Sequence, residues 1–157
     1  MIKHPSKLLI SIVICELVGL SGIPFTSSAI PTWYATLSRP FFSPPNWIFG
    51  PVWTTLYAMM GISAYLVWMK GTKNHKVTYA LRIFAVQLML NFAWSLLFFG
   101  LRNPLFGLID IVALWLAIAY TIRLFCPLSR TAAYLLVPYI LWVSFATLLN
   151  LSIFLLN

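Results

Sequence analysis

The sequence predicts an all-α integral membrane bundle of five transmembrane helices, on three observations. Of its 157 residues 62% are hydrophobic and only 8% charged, the mean hydropathy is +0.95, and five separate apolar stretches are each long enough to cross a bilayer. A water-soluble globule of this size needs more polar surface than that composition supplies. A crossing needs about 20 apolar residues, because the hydrocarbon layer is roughly 30 Å thick and a helix rises about 1.5 Å per residue.

The stretches run over residues 8–25, 47–69, 78–99, 104–125 and 131–156 of one transmembrane domain, 1–157. The first begins like a secretory signal, with Lys3 and Lys7 ahead of an apolar run, but Glu16 interrupts it where a signal stays apolar. It is therefore expected to be retained as the first helix. The second to fifth stretches are joined by short connections, which make consecutive helices antiparallel neighbours.

The connection over residues 26–46 is different. Six of the ten prolines fall between Pro24 and Pro51, and proline fixes its own φ while restricting the residue before it. A long, stiff, aromatic-rich connection of this kind reads as a lid.

Charge supplies orientation. Lys3, Lys7, Lys70, Lys73, Lys76, Arg82, Arg123 and Arg130 fall on one side of the predicted bundle, and Arg39 and Arg102 on the other. The bias puts the N-terminus in the cytoplasm and the C-terminus outside. It also explains the net charge of +8 without nucleic acid, for which there is no basic helix face or motif. Short tails and the lack of a targeting presequence favour a bacterial cell membrane, with an organellar outer membrane as the alternative. The lipid bilayer is then the principal partner.

The seven tryptophans divide by depth. Trp33, Trp47 and Trp68 lie at segment ends, where an indole anchors in the headgroup layer. Trp53, Trp94 and Trp142 lie deeper, where lipid offers the indole N–H no partner, so they are expected to turn inward. Helical spacing places Trp53, Tyr57, Met60 and Ala64 on one face of the second helix. It places Gln87, Asn91, Trp94 and Phe98 on one face of the third, and Pro138, Trp142, Ala146 and Leu149 on one face of the fifth. Such faces either line a common pocket or pack the bundle, with Gln87, Asn91 and Asn150 as interhelical hydrogen bonds.

Glu16 and Asp110 are the only acidic residues, and both fall inside predicted spans. An ionisable group there is costly unless paired, neutral or hydrated, so neither is expected to face lipid. Asp110 is kept among the site candidates. His4 and His75 lie in a tail and a loop, so no catalytic triad or axial histidine is available inside the bundle. Cys15 and Cys126 have no metal-ligand spacing, and no metal site is expected.

At this point the residues become recognisable. Trp33-Tyr34, Leu37, Arg39-Pro40, Pro44-Pro45, Trp47, Gly50-Pro51-Val52-Trp53-Thr54 and Leu56-Tyr57 closely resemble the signature of the tryptophan-rich sensory protein/translocator protein family, formerly the peripheral-type benzodiazepine receptor. The likeness continues through Gln87, Asn91, Trp94 and Phe98-Phe99-Gly100, through Asp110, and through Pro138-Tyr139, Trp142, Phe145-Ala146 and Leu149-Asn150.

The resemblance implies a five-helix bundle, usually a homodimer, that binds porphyrins such as protoporphyrin IX, and synthetic benzodiazepine-site ligands, in a pocket beneath the first loop. It places Tyr34, Pro44, Trp53, Asn91, Trp94, Trp142 and Ala146 there. Periodicity adds Tyr57 and Gln87, and Arg39 near the loop is expected to meet a porphyrin propionate. A protoporphyrin or haem-type tetrapyrrole is thus expected as ligand, with no cofactor required. Two alternatives accompany the binding reading. One is light-dependent oxidative degradation of the porphyrin, with Trp53 and Trp142 in a photochemical role, and the other is transport of tetrapyrroles across the membrane. Cholesterol binding is not carried over, because Asn150 is followed by Leu151-Ser152-Ile153-Phe154 and no Lys or Arg. The short sterol patterns at Val77-Tyr79-Arg82 and Leu116-Tyr120-Arg123 are read as chance.

Overall fold

A computed structural model describes residues 4–157, and every described element is helical. Lys3, counted above in the charge bias, lies outside the described residues. Helix α1 is Pro5–Ser21, α2 is Ile23–Ala29, and a π-helical segment, Ile30–Tyr34, continues it. A 3-10 turn at Asn46–Ile48 leads into α3, Phe49–Trp68. Then come α4, His75–Ser95, with a second π-helical segment at Leu96–Gly100; α5, Pro104–Phe125; α6, Arg130–Leu135; and α7, Val137–Leu156.

The helix starts follow from local chemistry. Asn103 precedes Pro104 and accepts from the backbone N–H of Leu105 and Phe106, both at 3.1 Å, the usual N-cap followed by a proline that has no N–H to orphan. Ser129 accepts from the N–H of Ala132 at 3.3 Å and starts α6. Pro138, in the first turn of α7, divides the fifth apolar stretch into two helices at Leu136.

The first connection differs from expectation. Residues 26–34, assigned to the lid from the prolines, are helical, and the first helical stretch reaches from Pro5 to Tyr34, 30 residues. Pro24 and Pro31 each stand in the first turn of a new segment, where a proline is tolerated. Hydroxyls bond back to helix carbonyls: Ser28 to Pro24 at 2.9 Å and Thr32 to Ser28 at 2.7 Å. The non-helical part of the expected lid is residues 37–45, followed by the 3-10 turn. Its backbone is tied to α7 through Asn157, whose side chain accepts from the Ser38 N–H at 2.9 Å and donates to the Ser38 carbonyl at 3.0 Å.

Among the described residues four stretches are long and apolar enough to cross a membrane: Pro5–Tyr34, His75–Gly100, Pro104–Phe125 and Arg130–Leu156. Helix α3 is 20 residues long but is diluted by Trp53, Thr54, Thr55, Tyr57 and Gly61. Its position explains this, since α3 is an inner helix with Met60, Ser63 and Val67 fully buried. The chain is an all-helical membrane bundle.

Helices α1 and α3 bring their backbones close together at Gly61. A Cβ there would lie 2.5 Å from the Cα of Ile12, so only glycine permits the approach. At the same end Lys7 stands 5.1 Å over the Trp68 ring, and Ser63 donates to the Ala132 carbonyl at 2.8 Å. Toward the lid the helices part, and a cavity opens among α1, α2, α3, α4 and α7.

Candidate functional site: an aromatic cavity beneath the lid

The cavity has a volume of about 350 Å³, within the range of small-molecule sites, roughly 300–1,000 Å³. Three indoles from three helices face it: Trp53 from α3, Trp94 from α4 and Trp142 from α7. Trp94 stacks on Phe98, with centroids 5.2 Å apart and planes at 15°. Trp53 leans on Tyr57 at 5.7 Å, and Trp142 packs against Phe145 at 5.5 Å and Phe49 at 6.0 Å.

Of the residues singled out from sequence, Tyr34, Trp53, Tyr57, Asn91, Trp94, Trp142 and Ala146 line the cavity. Arg39, Pro44, Gln87 and Asp110 are not part of its wall. Arg39 lies just outside, its guanidinium 5.3 Å over the Tyr34 ring and 3.5 Å from Oδ1 of Asn46. Both of those partners are wall residues, so Arg39 stands at the rim. Pro44 belongs to the lid. Asp110 is buried in α5 with one carboxylate oxygen lacking a protein partner.

Gln87 lies behind the wall, at one end of a buried polar chain. The Tyr57 hydroxyl donates to Oδ1 of Asn91, Nδ2 of Asn91 donates to the Tyr139 hydroxyl at 2.8 Å, and that hydroxyl donates to Oε1 of Gln87 at 2.8 Å. The chain links α3, α4 and α7 through groups that lipid could not satisfy. A second link is Trp94 Nε1 to Oδ1 of Asn150 at 3.1 Å, with Asn150 Nδ2 donating to the Pro104 carbonyl at 2.8 Å. The amides of Gln87, Asn91 and Asn150 thus make interhelical hydrogen bonds that hold the aromatic walls together.

Sequence reasoning missed part of the wall. Phe49, Ser95 and Ile153 line it, as do Glu16 and Gly19 of α1 and Ile23, Thr26 and Ser27 of α2. Phe99 lines it too, where the two π-helical segments that carry the expected residues Tyr34 and Phe98 face each other, with Tyr34 5.7 Å from Phe99 and 6.3 Å from Phe98. A π turn widens a helix by one residue and often marks a functional site. It has no hydrophobic period by which to find it.

The pattern that defines the TspO/MBR family matches residues 11–156. The chain belongs to that family. It is similar to Tryptophan-rich protein TspO of Archaeoglobus fulgidus, 48% identical over 151 residues, 96% of this chain and 97% of that protein. It is also similar to the human Translocator protein, 43% identical over 119 residues, covering 75% and 70%, and to Tryptophan-rich sensory protein of Cereibacter sphaeroides, 34% identical over 139 residues, covering 87% and 85%. Membership in the TspO/MBR family and the apolar helices together make this a multi-pass membrane protein in contact with the lipid bilayer.

Proposed function

We propose that the protein is a membrane receptor that holds a flat, hydrophobic tetrapyrrole of the protoporphyrin IX type, or a benzodiazepine-site ligand, in the cavity beneath its lid. The observation that carries this reading is the convergence of Trp53, Trp94 and Trp142 on one cavity. Planar aromatic surfaces on several sides favour a planar guest, through stacking and apolar burial. Among the described residues no histidine, cysteine or methionine lines the cavity, so stacking and shape would hold the ring. Arg39 at the rim is a fitting partner for a propionate. The names of the relatives, translocator and sensory protein, agree with a receptor or sensor role.

In this reading α3 is the fifth crossing, with Trp53, Thr54 and Tyr57 turned to the cavity and Ser63 to the bundle. The N-terminus is cytoplasmic, with Lys70, Lys73, Lys76, Arg123 and Arg130 on the same side. Titration of the purified protein with protoporphyrin IX in the dark tests the receptor reading. Saturable quenching of tryptophan emission at micromolar ligand is expected, and unchanged emission rejects it.

A second reading is favoured by the presence of Trp53 and Trp142 in the wall. Under light, with molecular oxygen as the oxidant, a bound porphyrin would be degraded beside oxidisable indoles. Loss of porphyrin absorbance on illumination checks this, and Trp53→Phe and Trp142→Phe variants that degrade the pigment at the unaltered rate would deny the indoles a chemical role.

A further inference from the structure

The polar atoms of the cavity are unequally committed. Asn91 and Asn150 are tied to Tyr57, Tyr139, Trp94 and the Pro104 carbonyl. Thr26 and Thr54 bond to carbonyls of their own helices. The Glu16 carboxylate, by contrast, lines the cavity and makes no hydrogen bond or ion pair among the described residues. Among the described residues no Lys, Arg or His lines the cavity with it.

Its position along the cavity is defined. The wall residues of the first helical stretch run from Tyr34, under the lid, down to Glu16, about 25 Å of helical rise. Glu16 lies nearly one turn below Gly19, against which the Tyr57 ring is packed so closely that a Cβ would come within 2.3 Å of it. Tyr57 is in turn the wall residue of α3 farthest from the lid. A strong acceptor therefore stands at the deep end, and the Arg39 guanidinium stands at the opposite, lid end.

We propose that Glu16 is a ligand-recognition residue that pairs with a cationic or N–H-donating nitrogen at the end of the ligand remote from the lid. A carboxylate in a membrane span without a protein partner is costly, and a donor on the guest relieves that cost where a neutral isostere does not. The cavity thus has polarity: the acidic end of an amphiphile toward Arg39, the donor end toward Glu16. The inference rests on the cavity being a ligand site, as proposed above, and not on the guest being a tetrapyrrole.

Tryptophan quenching in neutral detergent micelles tests it with two flat probes, 9-aminoacridine, a cation at neutral pH, and uncharged 9-methylanthracene. The full chain should bind the cation about tenfold more tightly, the size of a charge-assisted hydrogen bond. Glu16→Gln should weaken 9-aminoacridine by about tenfold and leave 9-methylanthracene within about twofold. Equal affinities in the unaltered protein, or a preference that survives Glu16→Gln, overturn the proposal; Glu16→Ala serves as the second variant if the first misfolds. Protoporphyrin is titrated into the same samples. Porphyrin binding without amine preference removes only the role of Glu16, whereas amine preference without porphyrin binding removes only the tetrapyrrole reading.

Discussion

Trp94 of α4 donates its indole N–H to Oδ1 of Asn150 in α7 across 3.1 Å, fixing one aromatic wall of the cavity to the helix that carries another. Asn150 is fully buried, and its amide also donates to the Pro104 carbonyl. Asn150→Leu removes both bonds and strands the indole N–H. Hydrogen bonds between membrane helices average about 0.6 kcal/mol each, and an unsatisfied buried donor adds about 1–3 kcal/mol. Thermal unfolding in detergent should show a loss of about 1–3 kcal/mol, with red-shifted tryptophan emission as Trp94 loosens.

The Tyr139 hydroxyl is the middle of the Tyr57–Asn91–Tyr139–Gln87 chain, and Tyr139 has no exposed surface. Tyr139→Phe orphans Nδ2 of Asn91 and Oε1 of Gln87, and an expected cost of about 1–3 kcal/mol follows. Adding Gln87→Leu removes one of the stranded groups, so the double variant should be more stable than the sum of the single losses. Equilibrium unfolding of the four proteins measures that non-additivity.

The glycines separate tight helix contacts from open space. A Cβ on Gly61 meets the Ile12 backbone at 2.5 Å, which cannot rotate away, whereas a Cβ on Gly50 meets nothing within 4 Å. Gly61→Ala should therefore cost about 1–3 kcal/mol through forced separation of α1 and α3, and Gly50→Ala should stay within about 0.5 kcal/mol. Melting temperatures of the two variants decide.

Arg39 at the rim, over Tyr34 and beside Asn46, should act on the acid groups of a porphyrin rather than its ring. Arg39→Gln is expected to weaken protoporphyrin IX by about fivefold or more while leaving its dimethyl ester nearly unchanged. Equal weakening of both ligands in parallel titrations would mean that Arg39 acts on the lid's structure instead.

The three indole faces were legible in the sequence because a 3.6-residue period survives in the chain. Trp53, Trp94 and Trp142 all turn to the cavity, although the Trp94 N–H has a protein partner in Asn150 and the buried N–H of Trp142 has none. The start of α5 was equally plain, from Asn103 and Pro104. Other features depend on tertiary context. Residues 26–34 read as loop because prolines usually break helices, yet here Pro24 and Pro31 begin segments, and the Ser28 and Thr32 hydroxyls bond back to the Pro24 and Ser28 carbonyls. The roles of Asn91 and Gln87 depended on Tyr139, a partner about 50 residues away in the chain. Glu16 was visible as a carboxylate inside the membrane, but its place in the wall depends on how α1 crosses α3 at Gly61.

Ala146, on the same wall as Trp142, allows the most direct test of a cavity that holds a planar guest. Protoporphyrin IX is titrated in the dark into the unaltered protein and into Ala146→Trp, with helicity and melting temperature followed on both. Saturable quenching in the former and its loss in a still-folded Ala146→Trp protein is the predicted result. Undiminished affinity in the filled variant would contradict the account, because the porphyrin would then be binding somewhere other than between the indoles.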